Sequence, residues 1–260
     1  MPIITLTTDL GLKDYYVSSI KASILNQYPD ATIVDISHDV PKFDIAQAAF
    51  MVKNAMKDFP PGTIHILGVK PEASPATPHI AMYINGQYFI GADNGIFSLI
   101  FDQDPEKVVE LTINQDTDLL TFPTKNIFVK AACHLARGGT LEIIGGPKDA
   151  VIQRSLFRAV VNEGMIRGTI IYVDSYGNVV TNINEKLFRE IGKGKPFTIY
   201  FRESRYKIHQ IVKSYNQIEE GDSLALFGAT GYLEIAINSG NASQLLGLNI
   251  NETIRIEFEA

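Results

Sequence analysis

An apolar run near the start of the chain, Ile3-Ile4-Thr5-Leu6-Thr7, stops at Thr8-Asp9-Leu10-Gly11. A carboxylate at that point, Asp9, has two acceptor oxygens and can take hydrogen bonds from two vicinal hydroxyls, the usual way a ribose is held. Asp14 follows it. The alternative for either aspartate is that it caps the next helix. Lys70 and Glu72 share a loop stiffened by Pro71, Pro75 and Pro78. A lysine there draws anions toward a pocket, and the alternative is a solvated turn. Farther on, Asp174 and Asn178 sit in Val173-Asp174-Ser175-Tyr176-Gly177-Asn178. A carboxylate suits an ammonium, and an asparagine presents both a donor and an acceptor. Plain turn chemistry is the alternative.

Other chemistries have no signature. HExxH, GxSxG, GxxxxGK[ST] and GxGxxG are all absent from the sequence. The histidines are His38, His65, His79, His134 and His209, and no two have helical metal-ligand spacing, so no metal site is expected. His65 lies inside an apolar strand and reads as a core histidine. The single cysteine, Cys133, lies in an apolar run, excludes an internal disulfide and reads as a packed thiol.

The elements that must carry these residues follow from periodicity. Asp9 closes a first strand, and Tyr16, Ile20 and Ile24 then recur on one helical face. A second strand is expected over Ala31–Ile36. Asp44 caps a helix over Ile45–Phe59, ended by Pro60-Pro61-Gly62. A third strand spans Thr63–Val69. This β-α-β-α-β order predicts a parallel, doubly wound sheet, whose strands offer ligands their carboxyl ends. Asn85-Gly86 marks a hairpin between Ile80–Ile84 and Gln87–Ile90. A strand over Val108–Ile113 and a helix over Phe128–Arg137 follow.

Beyond Gly164 the pattern changes to short strands with little helix: Arg167–Asp174, Phe197–Phe201, Ile208–Ile211, Ser223–Phe227, Tyr232–Ile237 and Ile250–Glu259. The expected fold is α/β in class. Residues 1–163 form a doubly wound, mostly parallel sheet with helices on both faces, and residues 164–260 form an all-β, barrel-like domain. The 260 residues carry 45% hydrophobic side chains, ample for a core, and a net charge of −6, which argues against a nucleic-acid partner. No basic n-region precedes an apolar segment at the start, and no run reaches transmembrane length. A soluble, cytoplasmic protein without membrane contacts is expected.

Three stretches carry a resemblance: TTDLGLKDYY at the start, GADNGIFS in the middle, and YVDSYGNVVTNI with LALFGATGYLEIAINSGNASQLLG later. In that order they resemble the S-adenosylmethionine hydroxide adenosyltransferases, the family that also contains the fluorinase and the chlorinase. The resemblance runs from Ile3 to Ile250. It implies a homotrimer of two-domain subunits. It implies S-adenosylmethionine or adenosine as the small-molecule ligand at a subunit interface, and no further cofactor. Asp9 matches the residue that grips the ribose hydroxyls, with Asp14 beside it. Phe43 matches an apolar position covering the ligand. Asp174 and Asn178 match the pair around the methionine amino group and the adenine or ribose.

The reaction end departs from that pattern. The hydrolytic members have an Asp-Pro-Gly loop after the third strand, an arginine soon after it, and a histidine in a Thr-Phe-His segment. Here Lys70 stands in place of the aspartate, the loop holds no arginine, and Thr121-Phe122-Pro123 has proline in place of the histidine. The halogenases carry a hydroxyl at the equivalent of Thr124. The family's serine before glycine becomes Ala229-Thr230-Gly231, in which Thr230 keeps a hydroxyl. Two functions follow. One is an enzyme that cleaves the C5′–S bond, with Lys70 and Thr124 near the nucleophile. The other is a non-catalytic binder of adenosine or S-adenosylmethionine.

Overall fold

The computed structural model describes residues 2–113, 121–155, 158–201 and 206–259. The chain divides into two compact units, Met1–Leu156 and Phe157–Ala260. In the first, β1 (Ile3–Thr8), β2 (Thr32–Ser37), β3 (Ile64–Gly68), β4 (His79–Ile84), β5 (Gln87–Ala92), β6 (Lys107–Leu111) and β7 (Gly145–Pro147) form one sheet in the order β2-β1-β3-β5-β4-β6-β7. Strands β1, β2, β3 and β5 are mutually parallel, and β6 runs with them. Only β4 and β7 run the other way. The mostly parallel sheet expected from the sequence is therefore present.

The two faces are covered by different helices. Helices α1 (Tyr16–Gln27) and α4 (Val129–Ala136) pack Ile20, Ile24, Val129 and Ala132 against Ile4, Leu6 and Ile66. Helices α2 (Ile45–Ala55) and α3 (Ile96–Ile100) pack Ala48, Val52 and Phe97 against Leu67, Ile80 and Phe89 on the other face. Each fully buried Val, Ile, Leu or Phe side chain among them stabilises the fold by roughly 1.5–3 kcal/mol. A sheet buried on both faces leaves only its strand ends open to ligands.

Local rules account for most of these elements. Asp44 Oδ1 accepts from Ala46 N and Gln47 N, both at 3.0 Å, and so caps α2 as expected. That helix stops at Ala55, and a single 3₁₀ turn carries the chain to Asp58. The Asn85-Gly86 hairpin is present, with Asn85 at φ 52° and Gly86 at φ 79°. Capping of α1 by an aspartate is overturned: Tyr15 occupies the cap position and makes no side-chain cap hydrogen bond. Ile96–Ile100 is a helical turn entered through Gly95 at φ 97°.

In the second unit β8 (Val160–Asn162) pairs with β9 (Met165–Val173). The remaining strands, β10 (Val179–Asn184), β11 (Phe197–Phe201), β12 (Tyr206–Ile208), β13 (Ser223–Phe227), β14 (Tyr232–Ile237) and β15 (Thr253–Phe258), continue from β9 in the order β12-β11-β15-β9-β10-β14-β13. Every ladder pair among them is antiparallel. Val212 N donates to Ala225 O at 2.9 Å, drawing the two sheet ends together into a nearly closed barrel. Its interior holds Ile166, Ile170, Ile183, Ile199, Leu233 and Ile254. The unit carries more helix than its sequence suggests. Helix α6 (Glu185–Gly192) is capped by Asn184, and α7 (Ala242–Leu246) by Asn241. No helix among the described residues is long and apolar enough to cross a membrane.

Candidate functional site at the carboxyl edge of the parallel sheet

Strand β1 is apolar and β-branched because both its faces are buried, and its last residue hands the chain to Asp9 at the carboxyl edge. Asp9 is 6% exposed. Its Oδ2 accepts a hydrogen bond from Phe43 N at 2.8 Å, and its carbonyl accepts from Lys42 Nζ. Among the described residues no donor reaches Oδ1, so the carboxylate is oriented by one oxygen and keeps the other for a partner. Phe43 makes this contact from a left-handed backbone, φ 65°, and the residue is 65% exposed. The loops leaving β1 and β2 are stitched together again by Gly11 N to His38 O, 2.8 Å, and by Thr8 Oγ1 with His38 Nδ1, 2.8 Å.

His38 Nε2 lies 3.1 Å from Asp35 Oδ1, poorly aimed for a hydrogen bond. Burial alone would raise the Asp35 carboxyl, but Lys21 and His38 outweigh it and hold it below its ordinary value. Asp14 is exposed and makes no hydrogen bond or ion pair among the described residues.

At the neighbouring exit, β3 ends in Gly68-Val69-Lys70. Lys70 is exposed, with a left-handed backbone at φ 47°. Thr124 opens a π-helical turn, Thr124–Phe128, ahead of α4, and it is 1% exposed. Such wide turns recur at functional sites. Gly68 lies under Thr124: a Cβ there would come within 2.8 Å of Thr124 Cγ2 and 2.9 Å of its Oγ1. The close approach requires glycine, and it holds the threonine against the end of β3.

Two side chains that sequence reasoning passed over also meet here. His79, the first residue of β4, presents Nε2 to Pro71 O at 2.7 Å. Asn94 donates from Nδ2 to Val69 O at 3.3 Å and to Lys70 O at 3.0 Å. A signal existed in both cases. His79 follows the proline-rich loop directly, and Asn94 belongs to the GADNGIFS stretch. Next to Asn94, Asp93 is 0% exposed and accepts from Ile152 N at 2.9 Å, with Lys148 Nζ 3.6 Å from its other oxygen.

In the second unit, Asp174 Oδ1 accepts from Tyr176 N at 2.9 Å and from Asn178 N at 2.8 Å, and Oδ2 accepts from Asn178 Nδ2 at 3.0 Å. The structure thus joins Asp174 to Asn178, and these bonds are those of a tight turn. Thr230 Oγ1 accepts weakly from Tyr232 N at 3.3 Å, and Ala229 is exposed. Behind this turn lies a carboxyl that the sequence did not single out. Glu234, 8% exposed, accepts from Tyr215 Oη at 2.6 Å, and its Oε2 would lie 3.0 Å from a Cβ on Gly228. Burial raises the Glu234 carboxyl, the Tyr215 hydrogen bond works against that, and the Asp174 charge adds to it. Burial, the Glu234 bond and the charges of Glu234 and Asp174 raise Tyr215.

Two other predicted readings are visible. His65 is 0% exposed, between Thr5 Oγ1 at 2.7 Å and Gln87 Oε1 at 3.3 Å, with its ring stacked on Phe89 at 4.5 Å. Burial pushes it down to about 4, against the hydrogen bond it donates to Gln87 Oε1, which works the other way. Cys133 is 0% exposed, and burial pushes its thiol up to about 11, although Arg137 opposes this. Neither group is placed for chemistry at the edge. Among the described residues no group of three or more metal-ligating side chains assembles.

Fold and edge together define a class: an α/β unit whose parallel strands open on an edge bearing a fixed carboxylate, followed by an antiparallel β-barrel. The chain belongs to the S-adenosylmethionine hydroxide adenosyltransferase family. Its residues 4–145 match the family's N-terminal domain and residues 168–255 its C-terminal domain. It is 28% identical to the (R)-S-adenosyl-L-methionine hydrolase of Thermus thermophilus, over 96% of this chain and 97% of the relative. It is 23% identical to the fluorinase of an Actinoplanes species, over 98% and 97%. A crystal structure of an uncharacterized conserved protein from Thermotoga maritima superposes with a TM-score of 0.88 at 29% identity, covering 98% of this chain and 99% of that one.

Proposed function

We propose that the chain binds S-adenosylmethionine at the carboxyl edge of its parallel sheet and cleaves the C5′–S bond slowly, releasing adenosine and methionine. The observation that carries this reading is Asp9. It is a buried carboxylate with one oxygen tied to Phe43 N and the other free to accept from a ribose diol. Phe43, exposed beside it, covers the ligand in this reading, and Asp14 lies at the mouth. The ligand lies at a subunit interface in this reading, and Asp174, Asn178 and Thr230 of a neighbouring subunit supply the acceptors and donors for its amino-acid and base portions. The names of the relatives, hydrolase and fluorinase, support the substrate class. The assembly that goes with the reading is a homotrimer, and sedimentation tests it.

In the chemical step an oxygen lone pair of water, or a small anion, attacks C5′. The C5′–S pair departs with sulfur as neutral methionine, and with water as nucleophile a proton is lost to solvent. Such a displacement needs a nucleophile stripped of water and held in line with the sulfonium. In this reading Lys70 and Thr124 stand near the nucleophile. A lysine ammonium has no lone pair and cannot act as a base. It attracts an anion and repels the sulfonium. Absence of general-base help forfeits about 10²–10⁴-fold in rate.

A second reading rests on the same substitutions. With Lys70 and Pro123 where hydrolytic members carry an aspartate and a histidine, the chain is a non-catalytic binder of adenosine or S-adenosylmethionine. Incubation with S-adenosylmethionine, chromatography for adenosine and methionine, and calorimetry with adenosine separate the two. Release of both products upholds the enzyme. Adenosine binding without release upholds the binder. Neither binding nor release sinks both.

A further inference from the structure

We propose that His79 and Asn94 are positioning residues that pin three consecutive carbonyls, Val69, Lys70 and Pro71, and so aim Lys70 at the reacting end of the site. The proposal rests on the reading that this edge holds the substrate. The geometry is specific. Asn94 spends both hydrogens of its amide on Val69 O and Lys70 O, while its Oδ1 accepts from Ile96 N at 3.2 Å. An asparagine bonded through both ends of its amide has one orientation. His79 takes the next carbonyl, Pro71 O, at 2.7 Å. A carbonyl only accepts, so Nε2 carries a proton and donates it to Pro71 O.

Lys70 between them has φ 47°, a conformation that costs a residue with a Cβ and is adopted routinely only by glycine or asparagine. Strain of this kind persists when the surroundings over-determine it, and it clusters at functional sites. The clamp is what over-determines it.

The clamp is also continuous with the rest of the edge. Thr8 pairs with Gly68 across β1 and β3, Leu67 with Gly91 across β3 and β5, and Ala92 with His79 across β5 and β4. His79 therefore lies on the last rungs of the sheet, next to the rung that Thr124 covers. Its ring meets Phe128, at the end of the π-helical turn that Thr124 opens, edge-on at 4.9 Å. Around His79, β5 presents the methyl of Ala92, the turn presents the Phe128 ring, and the loop presents the Glu72 carboxylate. Burial lowers the imidazole pKa, and the Pro71 bond and Glu72 oppose this.

The test uses the full chain and the variants His79→Leu, His79→Gln and Asn94→Ala, each checked for folding by thermal melting. Gln keeps a donor near the position of Nε2. Two readouts are taken. The first is pulse labelling of the Lys70 amine with an acylating reagent, read by peptide mass spectrometry, which needs no turnover. The labelling rate of Lys70 should change in His79→Leu and Asn94→Ala and return in His79→Gln. The second is release of adenosine from S-adenosylmethionine. Here kcat should fall about tenfold or more in His79→Leu with adenosine affinity unchanged. In a Lys70→Ala background the same substitution should cost nothing further. Changed labelling without any turnover in the parent upholds the positioning role and overturns the hydrolytic reading alone. Unchanged Lys70 labelling in folded His79→Leu and Asn94→Ala overturns the proposal, as does an undiminished loss of kcat in the Lys70→Ala background.

Discussion

The exits of β1 and β3 are adjacent ends of two paired parallel strands, yet they are built in opposite ways. At β1 a carboxylate is 6% exposed and tied by a backbone N–H from the next loop. At β3 a lysine is exposed, and its own backbone is what is tied. The first arrangement fixes an acceptor with little freedom. The second fixes the root of a long side chain and leaves its charge mobile. In the proposed reading the ribose-binding group is rigid at the side chain, and the group at the reacting end is rigid only at the main chain. Affinity and turnover should therefore separate under substitution.

The largest effect is expected in rate. Hydrolysis of S-adenosylmethionine should run about 10²–10⁴-fold slower than in a relative with the full aspartate, arginine and histidine set. A pH series of wild type against Lys70→Ala checks this. Brisk turnover that is lost in the variant would make a deprotonated Lys70 the base and reverse the contrast between the two exits.

Acid should undo both exits together, because His65 ties β3 to Thr5 on β1 and to Gln87 on β5. Its pKa is near 4 in the fold and near 6.5 in the unfolded chain. A depressed folded value means the stability is fully present above about pH 6.5 and is lost as pH falls toward 4. The loss is about 3 kcal/mol by linkage. Denaturant melts at pH 7 and pH 4, for wild type and His65→Gln, measure it. An equal loss in the variant would assign the acid sensitivity elsewhere.

Asp9→Asn sharpens the contrast at the first exit. It should weaken adenosine binding by roughly 1.5–3 kcal/mol, the range for a hydrogen bond to a charged group. Calorimetry reads the change, and an unchanged affinity would leave Asp9 a loop tie to Phe43 and nothing more. The smallest effect belongs to Lys70→Gly. Removing the Cβ from a left-handed residue should stabilise the fold by about 1 kcal/mol while lowering any turnover. A destabilised Lys70→Gly in a thermal melt would mean that the φ of 47° carries no strain.

Much of the frame was legible in the chain. Short apolar, β-branched runs found β1, β3, β13 and β14, and a period of three to four residues found the helices α1 and α2, because burial marks neighbouring residues locally. Asn85-Gly86 and Asp44 named a turn and a cap, since each acts on neighbours within a few residues. The α6 helix was harder to see. It is eight residues long, Glu185–Gly192, between strands, and its Asn184 cap and Glu185–Arg189 pair were its only marks.

By itself the sequence determined the order of the elements, the carboxylate at the end of β1, and the replacements at Lys70 and Pro123. Tertiary structure alone decided which oxygen of Asp9 is free, through Phe43 N, and which carbonyls hold Lys70, through Asn94 and His79. It also decided that the barrel's ends meet between Val212 and Ala225. Each of these is a contact between segments far apart in the chain. A hydrogen bond fixes direction only when both partners are placed, and no local period records where the second partner will be.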